Sequence, residues 1–245
     1  YIDGIKVRGS TSLPKAAIEE VSVMTGGLPA NYGDATGGII SITTRGASRF
    51  YFGGVEAVSS GLKIGDNTYG LDNYGYNLFE GVLSGPLFMK KDSTGKKTDP
   101  ILGFFVSANL SNIVDGRPLA IDQYRLKPSM RDSLIVNPLR PTGFGFGAFY
   151  NTDFLTPDAF EKVSFRQNAT STNASLAGKI DVNAGPNINL TFGGSGAYAT
   201  RTSPSWRSSV FNYDNYAKVI DADWRVYGKF TQRFQQVFED GDQSK

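Results

Sequence analysis

The sequence predicts an all-β fold: an antiparallel transmembrane barrel, of which about six strands are present, preceded by a short stretch of mixed α/β character. Three observations point there. Segments of ten or more residues alternate strictly between apolar and polar side chains, the period of a strand. The polar halves of those segments carry full charges, while the apolar halves carry aromatics near their ends. Connections between them alternate in length, setting aside a middling turn at 89–99.

Taken in order, residues 1–7 read as a strand and 14–20 as a short helix, with Pro14 in its first turn and apolar Ala17 and Ile18. Residues 21–23 and 38–44 read as two further strands, and 45–48 as a link. Strands are then expected over 49–60, 75–88, 100–114, 173–184, 188–202 and 220–231. The last shows the pattern best. Ile220, Ala222, Trp224, Val226, Gly228 and Phe230 share one face, and Asp221, Asp223, Arg225, Tyr227, Lys229 and Thr231 the other. Likewise Leu102, Phe104, Val106, Ala108 and Leu110 oppose Gly103, Phe105, Ser107, Asn109 and Ser111. Leu176 and Ile180 oppose Lys179 and Asp181 in the same way. Segments 49–58 and 76–88 are noisier, with Glu56 and Glu80 among apolar neighbours.

A soluble antiparallel sheet also alternates, dry on one face and wet on the other. Its strands average about five or six residues, however, half the length found here. Loops 61–74, 115–172 and 203–215 fall on one end and the minimal turn 185–187 on the other, the habit of outer-membrane barrels. A compact soluble domain rarely tolerates a loop as long as 115–172. The barrel is therefore preferred over the sandwich.

Composition narrows function. The 245 residues hold 25 basic and 23 acidic side chains, a net charge of +2 that gives no electrostatic reason for a nucleic-acid partner. There is no cysteine and no histidine. Disulfides, thiolate nucleophiles, most structural zinc sites and the commonest general base are thereby excluded, which leans against an enzyme. No apolar run approaches the ~18 residues of a spanning helix, but barrel strands need only about 9–11. Neither end reads as a natural boundary, and the chain is expected to be a fragment of a longer protein.

Glycine-rich GGLPANYGDATGGIISITTRG at 26–46 raises the question of a phosphate loop. No lysine follows the glycines, and a β-run replaces the required helix. Gly143-Phe-Gly-Phe-Gly147 lacks the spacing as well.

YIDG at 1–4, IEEVSVMTGG at 18–27, PANYG at 29–33 and GGIISITTRG at 37–46 together resemble the second half of the plug domain of TonB-dependent outer-membrane receptors, with wording most similar to those of the Bacteroidota. The resemblance covers residues 1–46; the remaining 47–245 resemble the first barrel strands and loops in pattern alone. It implies a plug lodged inside a 22-stranded barrel. It also implies an outer-membrane location in a Gram-negative bacterium and no cofactor. The partners implied are outer-membrane lipid, a periplasmic TonB-type energy-transducing protein whose contact segment lies outside this sequence, and a surface lipoprotein or other outer-membrane subunits. On this reading Gly26, Gly27, Tyr32, Gly33, Gly37 and Gly38 build the plug: Gly26 and Gly27 by positive φ, Gly33, Gly37 and Gly38 by close backbone approach.

Glu56, Glu80, Lys179, Asp181, Asp221, Asp223, Arg225 and Lys229 would face the barrel lumen. The plainer reading is that they solvate an aqueous interior and pair with one another; guiding a polar substrate or holding the plug is the alternative. Trp224, Phe192, Phe104 and Phe230 would face lipid. In the long loop, Phe144, Phe146, Phe149, Tyr150 and Phe154 could meet a ligand or partner, or pack the loop on itself. Asp153, Asp158 and Glu161 lack calcium-loop spacing. Asp132-Ser133-Leu134 resembles the short O-glycosylation sequence of Bacteroidota, and Pro128 and Pro138 on either side of Ser133 predict an extended backbone there. Three functions stay open: an importer of a siderophore, cobalamin, oligosaccharide or peptide; a barrel subunit acting through its long loop; and a soluble β-sandwich adhesin.

Overall fold

The computed structural model describes residues 1–7, 13–27, 37–91, 93, 95, 97–121, 123–185 and 187–234. Tyr32 and Gly33 lie outside the described residues. The chain opens with a two-residue turn in which Asp3 and Gly4 both take positive φ, 52° and 82°, between Ile2 and Ile5. Asp-Gly is the pair that such a left-handed turn selects. The strand expected over 1–7 is therefore a turn, and only Ile2 bridges onward, to Ile42.

A single 3₁₀ turn, Lys15–Ala17, leads into β1 (Ile18–Met24), which pairs antiparallel with β2 (Ile39–Thr44). The helix expected over 14–20 is cut short because Ile18, Glu20 and Val21 are already in register with Thr44, Thr43 and Ile42. Gly27 has the anticipated positive φ of 62°, whereas Gly26 does not. Gly38 passes so close to β1 that a Cβ would stand 3.0 Å from the Met24 carbonyl oxygen. At Gly37 no described residue would come within 4 Å of a Cβ, so none of them demands glycine there by close packing.

The remaining strands are β3 (Phe52–Ser59), β4 (Gly61–Ile64), β5 (Asn67–Gly70), β6 (Tyr76–Lys91), β7 (Lys97–Ile113) and β8 (Gln123–Leu126), followed by helix α1 (Pro128–Val136). Then come β9 (Leu139–Pro141), β10 (Ala148–Tyr150), β11 (Phe160–Val163), β12 (Ser171–Asn183), β13 (Ile188–Ser203) and β14 (Ala217–Gln232). Six of them form one antiparallel sheet in the order β3-β6-β7-β12-β13-β14, each long strand beside the next along the chain. All six long strands expected from the sequence are present as strands of this sheet. The sheet is not closed: β3 and β14 are its edges. Strands β6 and β7 pair as far as Lys91 and Lys97, which shrinks the turn expected at 89–99 to a short one. Short connections thus share one end of the sheet, and the loops the other.

Register fixes the two faces. Phe52, Ser84, Phe105, Lys179, Gly193 and Tyr227 form one row across all six strands, and Glu56, Glu80, Asn109, Ser175, Ala197 and Asp223 another on the same face. The opposite face carries Val55, Leu83, Val106, Leu176, Phe192, Trp224 and Val226. Ile2, Asp3 and the segment 13–17 lie against the first, hereafter the covered face. Ala17, Phe105 and Ala177 are buried together there, with Leu13 and Val82 packed around them. The other, open face is bare: Trp224 is 82% and Val226 77% exposed.

Candidate functional site

Where the amino-terminal segment meets the covered face, a polar cluster forms around Asp3. The left-handed turn aims its carboxylate at β2 and the sheet together. Thr44 donates its backbone N–H to Asp3 Oδ1 at 2.9 Å and its hydroxyl to Oδ2 at 2.8 Å. Tyr227 donates its phenol to Oδ2 at 2.7 Å. Lys179 Nζ lies 3.4 Å from Oδ1 and donates to the Thr44 carbonyl at 2.8 Å. Arg225 donates to the Ile2 carbonyl at 3.2 Å and stands 3.9 Å from Asp3 Oδ2. Burial is deep: the side chains of Asp3 and Lys179 are only 7% and 10% exposed. Burial alone would raise the Asp3 pKa, yet the hydrogen bonds from Thr44 and Tyr227 and the charge of Lys179 hold it below its ordinary value.

Two more carboxylates of the sheet grip the same segment. Glu80 accepts the Ala16 N–H at 2.8 Å and an Asn109 amide at 3.1 Å. Asp181 accepts the Ala47 N–H at 3.0 Å and the Thr191 hydroxyl at 2.6 Å. Ser84 accepts the Ser48 N–H at 3.0 Å, and Lys15 approaches Glu56 at the exposed margin, 3.9 Å away. These are mostly backbone groups that no strand partner satisfies, so the sheet's side chains supply what the segment's own fold cannot. Of the charges expected inside the barrel, Glu56, Glu80, Lys179, Asp181 and Arg225 are brought to the segment. Asp221 instead faces Arg201 across the sheet at 3.7 Å, and Lys229 is exposed. Asp223 shares the covered face but is not drawn into the cluster.

At the loop end, three connections interlock. Arg125 on β8 binds Glu161 at 2.7 Å and Asp66 at 2.6 Å, joining the loop between β3 and β6 to the long one. Burial opposes its charge, but Asp66 and Glu161 outweigh that and raise its pKa further. Tyr213, from the β13–β14 loop, is buried under the guanidinium groups of Arg125 and Arg131, and Arg131 pairs with Asp214. Fully buried Asp115 holds Arg166 through its carboxylate. A cleft of about 360 Å³ opens between α1 and the β13–β14 loop, lined by Arg131, Leu134, Ile135, Phe211 and Asp214.

The long-loop aromatics do not form one set. Phe149 and Phe154 meet edge to face at 5.9 Å, with Arg140 stacked on Phe154. Phe144 and Phe146 stand apart at the tip of the β9–β10 hairpin, 78% and 82% exposed, and Tyr150 is exposed too. Ser133 sits in α1, where its carbonyl accepts the Asn137 N–H, so the extended backbone expected there is a helix. Pro128 starts that helix instead of stretching the chain, since its fixed φ suits the first turn. Among the described residues no cluster of acidic side chains is arranged to hold a metal.

Sequence reasoning missed Asp3, Thr44 and the Tyr227 phenol as a unit. The Asp-Gly dipeptide was the available signal, since it marks a left-handed turn whose first side chain points away from the chain.

No protein-family model matches the chain, and no curated protein does. Among solved structures the chain is similar to a mutant of the ferric enterobactin receptor PfeA from Pseudomonas aeruginosa, at 15% identity and a TM-score of 0.49. That likeness covers 93% of this chain and 30% of the receptor, so the chain spans less than a third of the receptor's length.

Proposed function

We propose that this chain is part of a TonB-dependent outer-membrane receptor of the Bacteroidota type, residues 1–46 being the end of its plug and 47–245 its first barrel strands. The whole receptor imports a large or scarce nutrient, and the energy for plug movement comes from a periplasmic TonB-type partner.

One observation carries the reading: a single sheet is covered by the amino-terminal segment on its charged face and bare on its apolar face. From Ile220 to Phe230 the open face of β14 runs ten residues, about 34 Å along the strand. At a tilt of about 40° that is about 26 Å of height, close to the ~25 Å apolar band of outer-membrane barrels. At the loop edge of the band, the row that holds Ile220 turns polar on the neighbouring strands: Thr200, Thr172, Asn112 and Asn77. A soluble sandwich would cover that band with a second sheet, and no described strand lies over it. The exposed Phe144–Phe146 tip favours a second reading, in which the barrel also docks a surface lipoprotein or another subunit through its long loop.

The test is fractionation of the full-length protein from its native host. An outer-membrane protein with heat-modifiable migration is expected, and growth on its scarce nutrient should require the energy-transducing partner. A protein that stays soluble without detergent would overturn the barrel; a membrane protein whose loss and whose partner's loss leave all nutrient uptake unchanged would overturn import.

A further inference from the structure

The open face is not uniformly ridged. Gly178 and Gly194 are paired directly across β12 and β13, and Gly196 lies one row further toward the loops. Large side chains stand around them: Ile180 and Phe192 below, Val106 and Val226 to the sides, and Leu176 and Trp224 above. The result is a recess of about 680 Å³ in the middle of the band. A second recess of about 590 Å³ shares Leu176 and Gly196 with it and continues to Leu110, Ala174 and Tyr198. The pair of recesses forms one track over β7, β12 and β13.

Dimensions select the occupant. Between the bounding side chains, the floor of the track runs from the Gly178–Gly194 row, level with Val226, to the Ala174–Tyr198 row, four residues or about 14 Å along the strands. With a tilt of about 40° this is about 10 Å of height, within one half of a hydrocarbon core of ~30 Å. It begins near mid-band and stops where the polar row begins. Tyr198 closes it with a ring that has a polar tip, as aromatics do at a membrane boundary. Two rows beyond, on the same face, exposed Lys218 pairs with Thr202 at the level where a headgroup would lie. A second protein copy would meet a bounded apolar patch with a polar rim. Here the apolar rows extend across all six strands, and only the recess is local.

We propose that this track holds one acyl chain of a membrane lipid from the loop-side leaflet, with its phosphate headgroup near Lys218. The inference rests on the membrane reading of the open face. Glycine makes the site by omission, leaving room for methylene groups that would otherwise have to bridge a gap in the lipid shell.

Gly178→Leu and Gly196→Leu test it. A Cβ at Gly178 would come no nearer than 3.6 Å to the Phe105 carbonyl oxygen, and one at Gly196 no nearer than 3.5 Å to that of Asp223. Both substitutions therefore fill the recess without a backbone clash. Val55→Leu, on the open face of β3, is the control. Full-length protein in mild detergent with added phosphatidylglycerol is washed and weighed by native mass spectrometry. Wild type and Val55→Leu should retain one lipid per protein, and each filled variant less than a tenth of that. Lys218→Glu should lose about half under the same wash. Heat-modifiable migration selects the filled variants that fold, and one is enough. Equal retention by a folded filled variant, or no retained lipid in wild type, overturns the track while leaving the barrel intact. A protein that needs no detergent overturns the membrane reading itself.

Discussion

The covered and open faces of the six-stranded sheet are built from the same strands, yet they solve opposite problems. On the covered face, Lys179 is 10% exposed and its ammonium group meets the Asp3 carboxylate and the Thr44 carbonyl. On the open face, its neighbours Leu176 and Ile180 are 54% and 45% exposed. The comparison teaches that burial within the chain is no guide to polarity here. Charged residues are covered because the amino-terminal segment brings unsatisfied backbone groups and a carboxylate to them. Apolar residues are uncovered by the rest of the described chain, and on the proposed reading lipid covers them. A tally of exposed hydrophobics would condemn this sheet as a soluble domain; it is the expected signature of one immersed in lipid.

The largest effect expected from breaking this contrast comes from charging the open face. Leu176→Arg or Val226→Arg should abolish barrel insertion, at a cost of about 2–4 kcal/mol near the midplane. Lys179→Ala, three residues from Leu176 on the same strand but on the covered face, should insert normally. Protease resistance in membranes and heat-modifiable migration measure both, and equal behaviour would erase the distinction between faces.

Next in size is Asp3→Ala. It leaves Lys179 and Arg225 facing each other without their shared carboxylate, so docking of residues 1–46 should weaken by about 3 kcal/mol while the barrel stays folded. Hydrogen exchange of the Thr44 amide reports it. The same contact gives a pH dependence. The folded-state pKa of Asp3 is depressed, so its contribution is complete above the ordinary carboxylate value of about 4 and fades as pH falls through the lower folded value. Exchange at Thr44 should therefore accelerate on acidification below about pH 4 in wild type and lose that step in Asp3→Asn.

Gly193 offers a subtler probe. A Cβ there would stand 2.5 Å from the Tyr227 ring, so Gly193→Ala should push the phenol off Asp3 and cost about 1–3 kcal/mol. Smallest of all is Arg201→Ala. Its pairing with Asp221 is 3.7 Å and well exposed on both sides, and denaturation should shift by less than about 0.5 kcal/mol.

Much of this was legible in the sequence. Strict alternation over 102–111, 174–183 and 220–231 placed each side chain on the face where the register puts it, because a one-residue slip would reverse every one of them. Glu80, Lys179, Asp181 and Arg225 were readable as a set on one face. Their common target was not. Asp3 is more than 170 residues from Lys179 and Tyr227, and alternation carries no information about what lies over a face. The helix expected over 14–20 failed for a related reason: local propensity at Glu19 and Glu20 yields to pairing with β2. At Ser133 the flanking prolines were read as extending the chain, whereas Pro128 is the first residue of a helix.

The central claim is that alternate residues of one strand face lipid and a polar interior. The chain contains no cysteine, so once any cysteine elsewhere in the full-length protein is replaced by serine, single substitutions along β14 can each carry a spin label. In membranes, labels at Ala222→Cys, Trp224→Cys and Val226→Cys of the full-length protein should be reached by oxygen and not by a water-soluble nickel complex. Labels at Asp223→Cys, Arg225→Cys and Tyr227→Cys should be shielded from oxygen. A period-two oscillation with that phase is the predicted result; a flat profile, or one with the phase reversed, would contradict the account.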